Sequence, residues 1–461
     1  MTGTGPRPLP DGLLVSWYGD DFTGSAAVME VLTFSGLESV LFFDVPTAGQ
    51  LARFAHCRGV GIAGAARSKP PAWMDVSLPP VFKALAELRA PITHYKVCST
   101  FDSAPEVGSI GRAVEIASPL FPAEWYPLVP AAPPIHRYQA FGNLFASVGD
   151  TDYRIDRHPT MSRHPVTPMT EADVRRHLAA QTNLPVGLVD LVAMKNGRAA
   201  AVLERERAAG ARFVALDVVD HETLREAGAL IWEHGGSPAF VVGSQGVEYA
   251  LVAYWRGAGL IGPAERTFRA EPAPQVAVVS GSCSPITAGQ IDWAEAHGFR
   301  PIRIDASLAV DPAAWRSETE RAAREALRVL SEGGSPIIHT ARGADDPAIA
   351  AFRGAVEASG GDSTEFNARV GNGLGRSLDT ILRTAGVNRA VIAGGDTSSY
   401  GALALGVYAL TALSPTVPGA ALFKAHSEDP ALGALELALK GGQMGGPDYF
   451  GRIRDGGGSI Q

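Results

Sequence analysis

The sequence predicts an α/β protein of two domains, each a mostly parallel sheet flanked by helices. Three observations carry this. Short apolar runs of strand length alternate with stretches of helical spacing along most of the chain, the rhythm of βα units. Several of those runs end in small, acidic or hydroxyl residues and pass directly into a helical pattern, as at Tyr18-Gly19-Asp20-Asp21 and Ser280-Gly281-Ser282-Cys283-Ser284; ligands of open α/β sheets sit at such strand ends. The chain's 461 residues also allow two cores of ordinary size, and a stretch with Pro263, Pro272 and Pro274 separates them. The expected domains are 1–256 and 275–461, joined by a linker over 257–274.

Composition narrows the function. Hydrophobic residues are 46% and charged residues 19% of the chain, which is globular rather than disordered. A formal net charge of −8 with no dense Lys/Arg block excludes a nucleic-acid footprint. The apolar run after the Gly/Pro-rich first twelve residues is stopped by Asp20, too early for a signal peptide or a membrane span. A cytoplasmic protein with a short loose tail is expected, with no membrane partner. Cys57, Cys98 and Cys283 show neither paired spacing nor an even count, so neither a disulfide framework nor a zinc site is indicated. A homodimer is the default oligomer, because cyclic dimers are commonest.

The first strand, acidic turn and helix run from Leu13 to Leu32. Asp20 or Asp21 can cap the helix, but two adjacent carboxylates followed by Thr23 and Gly24 also suit catalysis. Strands are expected at Ser39–Phe43 and Gly59–Gly64; the latter matches GxGxxG, yet its glycines lie inside the apolar run and not in a strand-to-helix turn, which excludes a dinucleotide site. Arg67 at that strand's end offers a planar fork for a carboxylate. After a helix over Pro79–Leu88, a strand from His94 enters a loop holding Lys96, Ser99, Thr100, Asp102 and Ser103. Such a cluster is ordinary turn chemistry or a site for a polyhydroxy acid, with Lys96 facing a carboxylate and the others facing hydroxyls. Residues 119–134 are Pro-rich and aromatic, and 137–170 read as a long irregular binding loop or lid, followed by a capped helix start at Thr170 and Asp173. Regular alternation then resumes as far as Val241-Val242-Gly243.

In the second half, Gln275–Ser280 leads through a small-residue turn to Ser284-Pro285, a helix N-terminus able to hold an anion. Gly371–Gly375 lies within a helical apolar pattern and reads as close packing. Arg389–Ala393, Gly394-Gly395-Asp396-Thr397 and a helical pattern over Ala402–Leu410 make the stronger phosphate candidate, with Asp396 able to hold Mg²⁺ through water and Thr397 to donate to a phosphate oxygen. No Gly-Lys-Ser/Thr occurs, which excludes a Walker A loop. A third glycine cluster, Lys440-Gly441-Gly442-Gln443-Met444-Gly445, precedes aromatic residues that suggest it is docked.

These motifs together resemble the four-carbon acid sugar kinase family over nearly the whole chain. Asp20-Asp21-Phe22-Thr23-Gly24 is similar to its N-terminal acidic motif, Lys96 with Cys98–Ser103 to the substrate loop of the 3-oxo-tetronate kinase branch, and His164–Thr170 to its central loop. Ser280–Ser284, Gly394–Ser398 and Lys440–Gly445 resemble its ATP-binding elements. Ser109 and Met444 depart from the family pattern, as does 125–156, which leaves a branched acid such as 3-oxo-isoapionate beside 3-oxo-tetronate as the substrate.

The resemblance implies phosphoryl transfer from MgATP to a terminal hydroxyl, with sugar acid bound by the first domain, nucleotide by the second, and a ligand cleft between them. Asp21, with Asp20 as second choice, accepts the hydroxyl proton; Arg67, Lys96, Ser99, Thr100 and Asp102 bind substrate; Ser282, Ser284, Gly394, Gly395, Asp396, Thr397, Gly442 and Gly445 bind ATP, Asp396 also taking Mg²⁺. Two other classes suit a two-domain α/β chain. A sugar-acid dehydrogenase or aldolase lacks a well-placed dinucleotide motif or a distinct Schiff-base lysine, and a non-catalytic sugar-acid sensor has no use for three glycine loops.

Overall fold

The computed structural model describes residues 5–164, 166–263 and 268–458, apart from the side chains of Asp396 and Ser399. Pro165 of the central loop and 264–267 of the expected linker lie outside the described residues. The chain divides into two compact units, Met1–Glu265 and Arg266–Gln461.

The first unit contains β1 (Val15–Gly19), β2 (Ser39–Phe42), β3 (Gly59–Ala63), β4 (Ile92–Lys96), β5 (Tyr126–Val129), β6 (Arg137–Ala140), β7 (Asn143–Val148), β8 (Thr151–Arg154), β9 (Val186–Val189), β10 (Phe213–Leu216) and β11 (Ala239–Gly243). Its main sheet has the order β2-β3-β1-β4-β11-β5-β10-β9, with parallel neighbours. Helices cover both faces of such a sheet, so its strands are buried throughout, as all five residues of β1 are. Tyr18, Phe82, Tyr95, Phe121 and Phe240 pack edge-on or stacked in one core. A Cβ on Gly61 would lie 2.0 Å from the Trp17 ring and one on Gly59 2.3 Å from Ser39 Oγ, so the β3 glycines make room for side chains of neighbouring strands. Behind β4, His94 Nδ1 meets Glu248 Oε1 at 2.7 Å with both side chains fully buried, and the other ring nitrogen reaches the Gly243 carbonyl at 3.1 Å. This ties β4 to the helix Gly246–Gly257.

The second unit contains β12 (Ala277–Ser280), β13 (Phe299–Arg303), β14 (Ser335–His339), β15 (Arg389–Ala393), β16 (Val407–Ser414), β17 (Leu422–Ser427) and β18 (Glu436–Lys440). Their order is β13-β14-β12-β15-β18-β17-β16; the first five are mutually parallel, and β17 pairs antiparallel with both β18 and β16. The helix Ser363–Ala385 runs uninterrupted through Gly371–Gly375, as its apolar period requires. A Cβ on Gly373 would lie 2.3 Å from the Trp315 indole nitrogen, so that glycine sets helix–helix distance.

Several local expectations are corrected. The helix expected from Pro79 begins at Pro71 and carries Pro79 and Pro80 inside it. The aromatic Pro-rich stretch supplies buried β5, and much of 137–170 forms the antiparallel sheet β6-β7-β8, not an irregular loop. Asp173, not Thr170, caps the following helix. The helix opened by Gly394-Gly395 runs from Gly395 to Ala404, so the end of the stretch expected to be helical to Leu410 is strand β16. Of the tail expected to be loose, the described part is docked at Arg7, which lies 4.4 Å over the Trp232 ring and whose carbonyl accepts from the Trp232 indole.

Candidate active site

In the first unit, register places Gly19, Ala63, Lys96 and Gly243 side by side at the carboxyl ends of β3, β1, β4 and β11. The turns leaving these strands assemble the predicted polar residues. Asp20 N–H donates to the Lys96 carbonyl at 2.9 Å and Arg67 N–H to the Asp20 carbonyl at 3.0 Å, fixing three turns to one another. Asp21 caps the helix Phe22–Phe34: its carboxylate accepts from Gly24 N–H at 2.9 Å and Thr23 Oγ1 at 3.3 Å, and pairs with Arg67 Nη1 at 3.0 Å. A Cβ on Gly24 would lie 2.1 Å from Asp21 Oδ1 and 2.5 Å from Lys96 Nζ, so glycine lets carboxylate and ammonium share one small space.

The two carboxylates differ. Burial, and then the charge of Asp21, push the Asp20 pKa up to about 7 against the opposing pull of Arg67 and Lys96. Its Oδ1 is buried without a hydrogen-bond partner. Burial also acts on Asp21, but Arg67, Lys96 and the Gly24 N–H prevail and hold its carboxyl below the usual range. Neighbouring acids driven apart in this way are one means by which a site keeps a proton holder beside an anion.

The loop after β4 is also built. Cys98 Sγ contacts Thr100 Oγ1 at 2.9 Å, and Thr100 donates to Asp102 Oδ1 at 2.5 Å. Burial, reinforced by Asp102, raises the Cys98 thiol to about 11, which leaves it protonated. Ser103 is held by His177 at 2.9 Å and Gln181 at 2.8 Å, and Ser99 stands half-buried beside Thr100. Phe101 adopts φ of 59°, a strained backbone for a bulky residue, while its ring is fully buried.

Sequence reasoning missed Arg137. Two of its N–H bonds go to the carbonyls of Ile135 and His136, its buried Nε has no partner, and its charge lies within reach of Cys98 and His158. Burial lowers its pKa. Weak periodicity around it concealed the strand that places it.

In the second unit three loops leave the adjacent strands β12, β15 and β18. Gly281 N–H donates to the Ala393 carbonyl and Gly394 N–H to the Lys440 carbonyl. Ser284 caps the helix Pro285–Glu295 through Ile286 N–H, and Gly394, at φ 120°, opens the helix Gly395–Ala404 without a side-chain cap. Amides at such an uncapped start are available to an anion. A Cβ on Gly442 would lie 2.9 Å from Ser282 Oγ, and one on Gly281 2.2 Å from Thr397 Oγ1, so these glycines set how closely the loops approach. Ser282, Ser284, Gly394, Gly395, Thr397 and Gly442 thus belong to one loop cluster; Gly445 is anchored through its carbonyl to Gln290. The Asp396 side chain lies outside the described residues.

Lys440 joins this cluster from within. Its Nζ, fully buried, donates to Thr287 Oγ1 and the Gly441 carbonyl at 3.0 Å each, while Thr287 donates to the Gly442 carbonyl at 3.1 Å. Burial pushes its pKa down to about 8. Among the described residues no carboxylate pairs with it. The signal in sequence is a lysine placed between a buried apolar strand and two glycines.

A family model for a sugar-binding N-terminal domain matches residues 15–251, and one for a nucleotide-binding C-terminal domain matches 277–450. The chain is 46% identical to a 3-oxo-isoapionate kinase of Paraburkholderia graminis over 98% of this chain and 97% of that one. It belongs to the four-carbon acid sugar kinase family. Members called 3-oxo-tetronate kinase are 31% identical in Cupriavidus necator, over 95% of each chain, and 30% identical in Pseudomonas fluorescens, over 98% of this chain and 97% of that one. A solved structure from Haemophilus influenzae matches the fold with a TM-score of 0.72 at 24% identity, covering 95% of this chain and 99% of that chain. The family's activity is phosphotransfer to a sugar acid, and this chain is a sugar-acid kinase that uses ATP as co-substrate. Among the described residues no helix is long and apolar enough to cross a membrane.

Proposed function

We propose that this kinase transfers the γ-phosphoryl group of MgATP to a terminal hydroxyl of a 3-oxo sugar acid, with 3-oxo-isoapionate the first candidate. The Asp20–Asp21 pair set between Arg67 and Lys96 carries the reading: it offers an anion for a hydroxyl and cations for an acid in one place. The higher identity to the 3-oxo-isoapionate kinase than to the 3-oxo-tetronate kinases favours the branched acid.

The Asp21 carboxylate, fixed by its cap and by Arg67, accepts the hydrogen bond of the attacking hydroxyl and orients its oxygen. That oxygen forms the new P–O bond as the bond from the γ-phosphorus to the β-phosphate oxygen breaks and ADP leaves. The hydroxyl proton passes to the carboxylate pair, where Asp20 holds a proton more readily than Asp21. Since phosphoryl transfer asks mainly for positioning and charge neutralisation, a weakly basic, well-held carboxylate suffices. Arg67 is already committed to Asp21, so Lys96 and Arg137 take the substrate carboxylate, and Ser99, Thr100 and Asp102 its hydroxyls.

ATP phosphates lie against Ser282, Ser284, Gly394, Gly395, Thr397 and Gly442, with Lys440 bracing the loops; Gly445 stays in this set as part of the last loop. Mg²⁺ supplies charge neutralisation on the phosphates. Among the described residues no three metal-ligating side chains converge, so Asp396 keeps its proposed role on sequence grounds only. The reaction belongs to carbohydrate catabolism, in the cytoplasm where ATP is made available.

A coupled ADP-release assay with MgATP tests this against four-carbon and branched five-carbon acids and their 3-oxo forms. Turnover with 3-oxo-isoapionate above 3-oxo-tetronate is expected. No turnover with any acid, together with no rise in melting temperature on adding ATP, would overturn it.

A further inference from the structure

None of the strand-end turns contributes to a groove of about 380 Å³ that lies between the helices Pro312–Ser331 and Ser363–Ala385 of the second unit. Its volume falls within the range for small-ligand pockets, about 300–1,000 Å³. Buried Thr319, Ala323 and Ser377 form its floor, and half-buried Leu327 adds apolar surface. Small side chains leave the seam open here, where the Ser377 hydroxyl donates across it to the Thr319 carbonyl at 3.2 Å. Arg316, Glu320, Arg324, Arg376 and Thr380 stand exposed along the rim.

Two features set the groove apart from an ordinary seam between helices. The first is its charge. The two helices carry seven arginines. Arg321, Arg328, Arg369 and Arg383 each reach a carboxylate at 2.7 to 2.9 Å. Among the described residues Arg316 and Arg376 reach none, and Arg324 comes only within 4.0 Å of Glu320. The arginines without a close partner are thus the ones that line the groove. Three guanidiniums against one carboxylate leave two positive charges in excess there, on a chain whose formal net charge is −8. The second feature is the direction of the hydroxyls. Thr319 Oγ1 donates to the Arg316 carbonyl at 2.8 Å and Thr380 Oγ1 to the Arg376 carbonyl at 3.0 Å. With Ser377, all three hydroxyl protons are committed to helix carbonyls, so the oxygens offer the groove only acceptors.

We infer that this groove is a further ligand site, for the phosphate monoester of an otherwise neutral polyol. Such a group carries close to two negative charges at neutral pH, which matches the excess, and guanidinium forks bind its oxygens in pairs. The ligand's hydroxyls donate to the oxygens of Thr319, Ser377 and Thr380, and its carbon chain lies on Ala323 and Leu327. Glu320 opposes a carboxylate on the ligand, which separates this class from the phosphorylated acid that a sugar-acid kinase makes.

The test is calorimetry on the full chain at neutral pH with glycerol 3-phosphate, 3-phosphoglycerate and inorganic phosphate, ATP being present throughout. Glycerol 3-phosphate is expected to bind more tightly than inorganic phosphate, which lacks the hydroxyls, and at least as tightly as 3-phosphoglycerate, which adds a carboxylate. Arg316→Gln and Arg376→Gln, at exposed positions where glutamine keeps the helix, should each weaken glycerol 3-phosphate about 10-fold, the scale of one charge-assisted bond. Their melting temperature and their kcat with the sugar acid should stay at the wild-type values. Thr380→Val should weaken glycerol 3-phosphate and leave inorganic phosphate unchanged. Affinity for glycerol 3-phosphate that both arginine variants leave intact overturns the site, as does the absence of binding at millimolar concentration. Inorganic phosphate binding as tightly as glycerol 3-phosphate, or 3-phosphoglycerate binding more tightly, overturns the ligand class.

Discussion

Asp21→Asn separates the catalytic role proposed for this carboxylate from its structural one. Asparagine caps helices as well as aspartate does, so the bond from Gly24 N–H, 2.9 Å in the native site, can survive. What disappears is the charge facing Arg67 at 3.0 Å, in a pair whose side chains are 35% and 19% exposed. Exposed pairs contribute up to about 1 kcal/mol and breaking a buried one costs about 3–5 kcal/mol; this half-exposed pair should cost about 1–2 kcal/mol, and the protein stays folded. Activity should fall far more, by about 10²–10⁴ in kcat, the scale of a lost positioned acid–base group. ATP affinity should be unchanged. A second signature follows, because Asp21 is the largest cause after burial of the high Asp20 pKa. Without it that pKa drops below about 7, and the limb of the rate–pH profile set by Asp20 moves to lower pH. Coupled ADP-release kinetics across the neutral range, with calorimetry for ATP, measure all of this. Wild-type kcat in a folded Asp21→Asn chain would refute the role.

Asp20→Asn tests burial directly. A carboxyl raised from 3.8 to about 7 on folding contributes stability that is fully present below pH 3.8 and is lost as the pH rises through about 7. The variant should therefore melt near the wild-type temperature at acid pH and above it at alkaline pH, by on the order of 4 kcal/mol in stability; a pH-independent difference would contradict the assignment. Lys440, lowered from 10.5 to about 8, has the opposite sign: its contribution is full above pH 10.5 and is lost as the pH falls through about 8. Lys440→Met should stabilise the nucleotide-free chain at neutral pH while weakening ATP about 10-fold, the scale of one charge-assisted bond. Wild-type ATP affinity should decline as the pH rises through 8, and the same decline in the variant would exclude Lys440 as its source. Gly24→Ala, whose Cβ would crowd Asp21 Oδ1 and Lys96 Nζ, should lower kcat about 10²-fold through misplacement of the two groups, with helix content by circular dichroism preserved; full activity would show that their spacing is unimportant.

Much of the candidate site was legible because it is local. Asp20, Asp21 and Gly24 sit within one strand–turn–helix, and a period change from strand to helix marks that turn in any sequence. The same holds for Ser284-Pro285 at a helix start and for the helical period running through Gly371–Gly375. Where periodicity was weak, legibility failed: β5 hides among prolines and aromatics, and β6–β8 are short antiparallel strands whose hydrogen bonds, not their apolar pattern, define them. Arg137 was lost with them.

What the chain's order of residues determined by itself was the set of strand ends and the polar residues on each. Which ends lie together was decided by sheet order, β3-β1-β4-β11 in one unit and β12-β15-β18 in the other, and parallel pairing brings together turns far apart in sequence. Charge followed from that assembly. Asp20 and Asp21 are neighbours of one residue type, yet burial raises one while Arg67 and Lys96, arriving from other strands, lower its neighbour. Composition cannot carry that difference, because desolvation and Coulomb interaction depend on distances only the folded chain possesses.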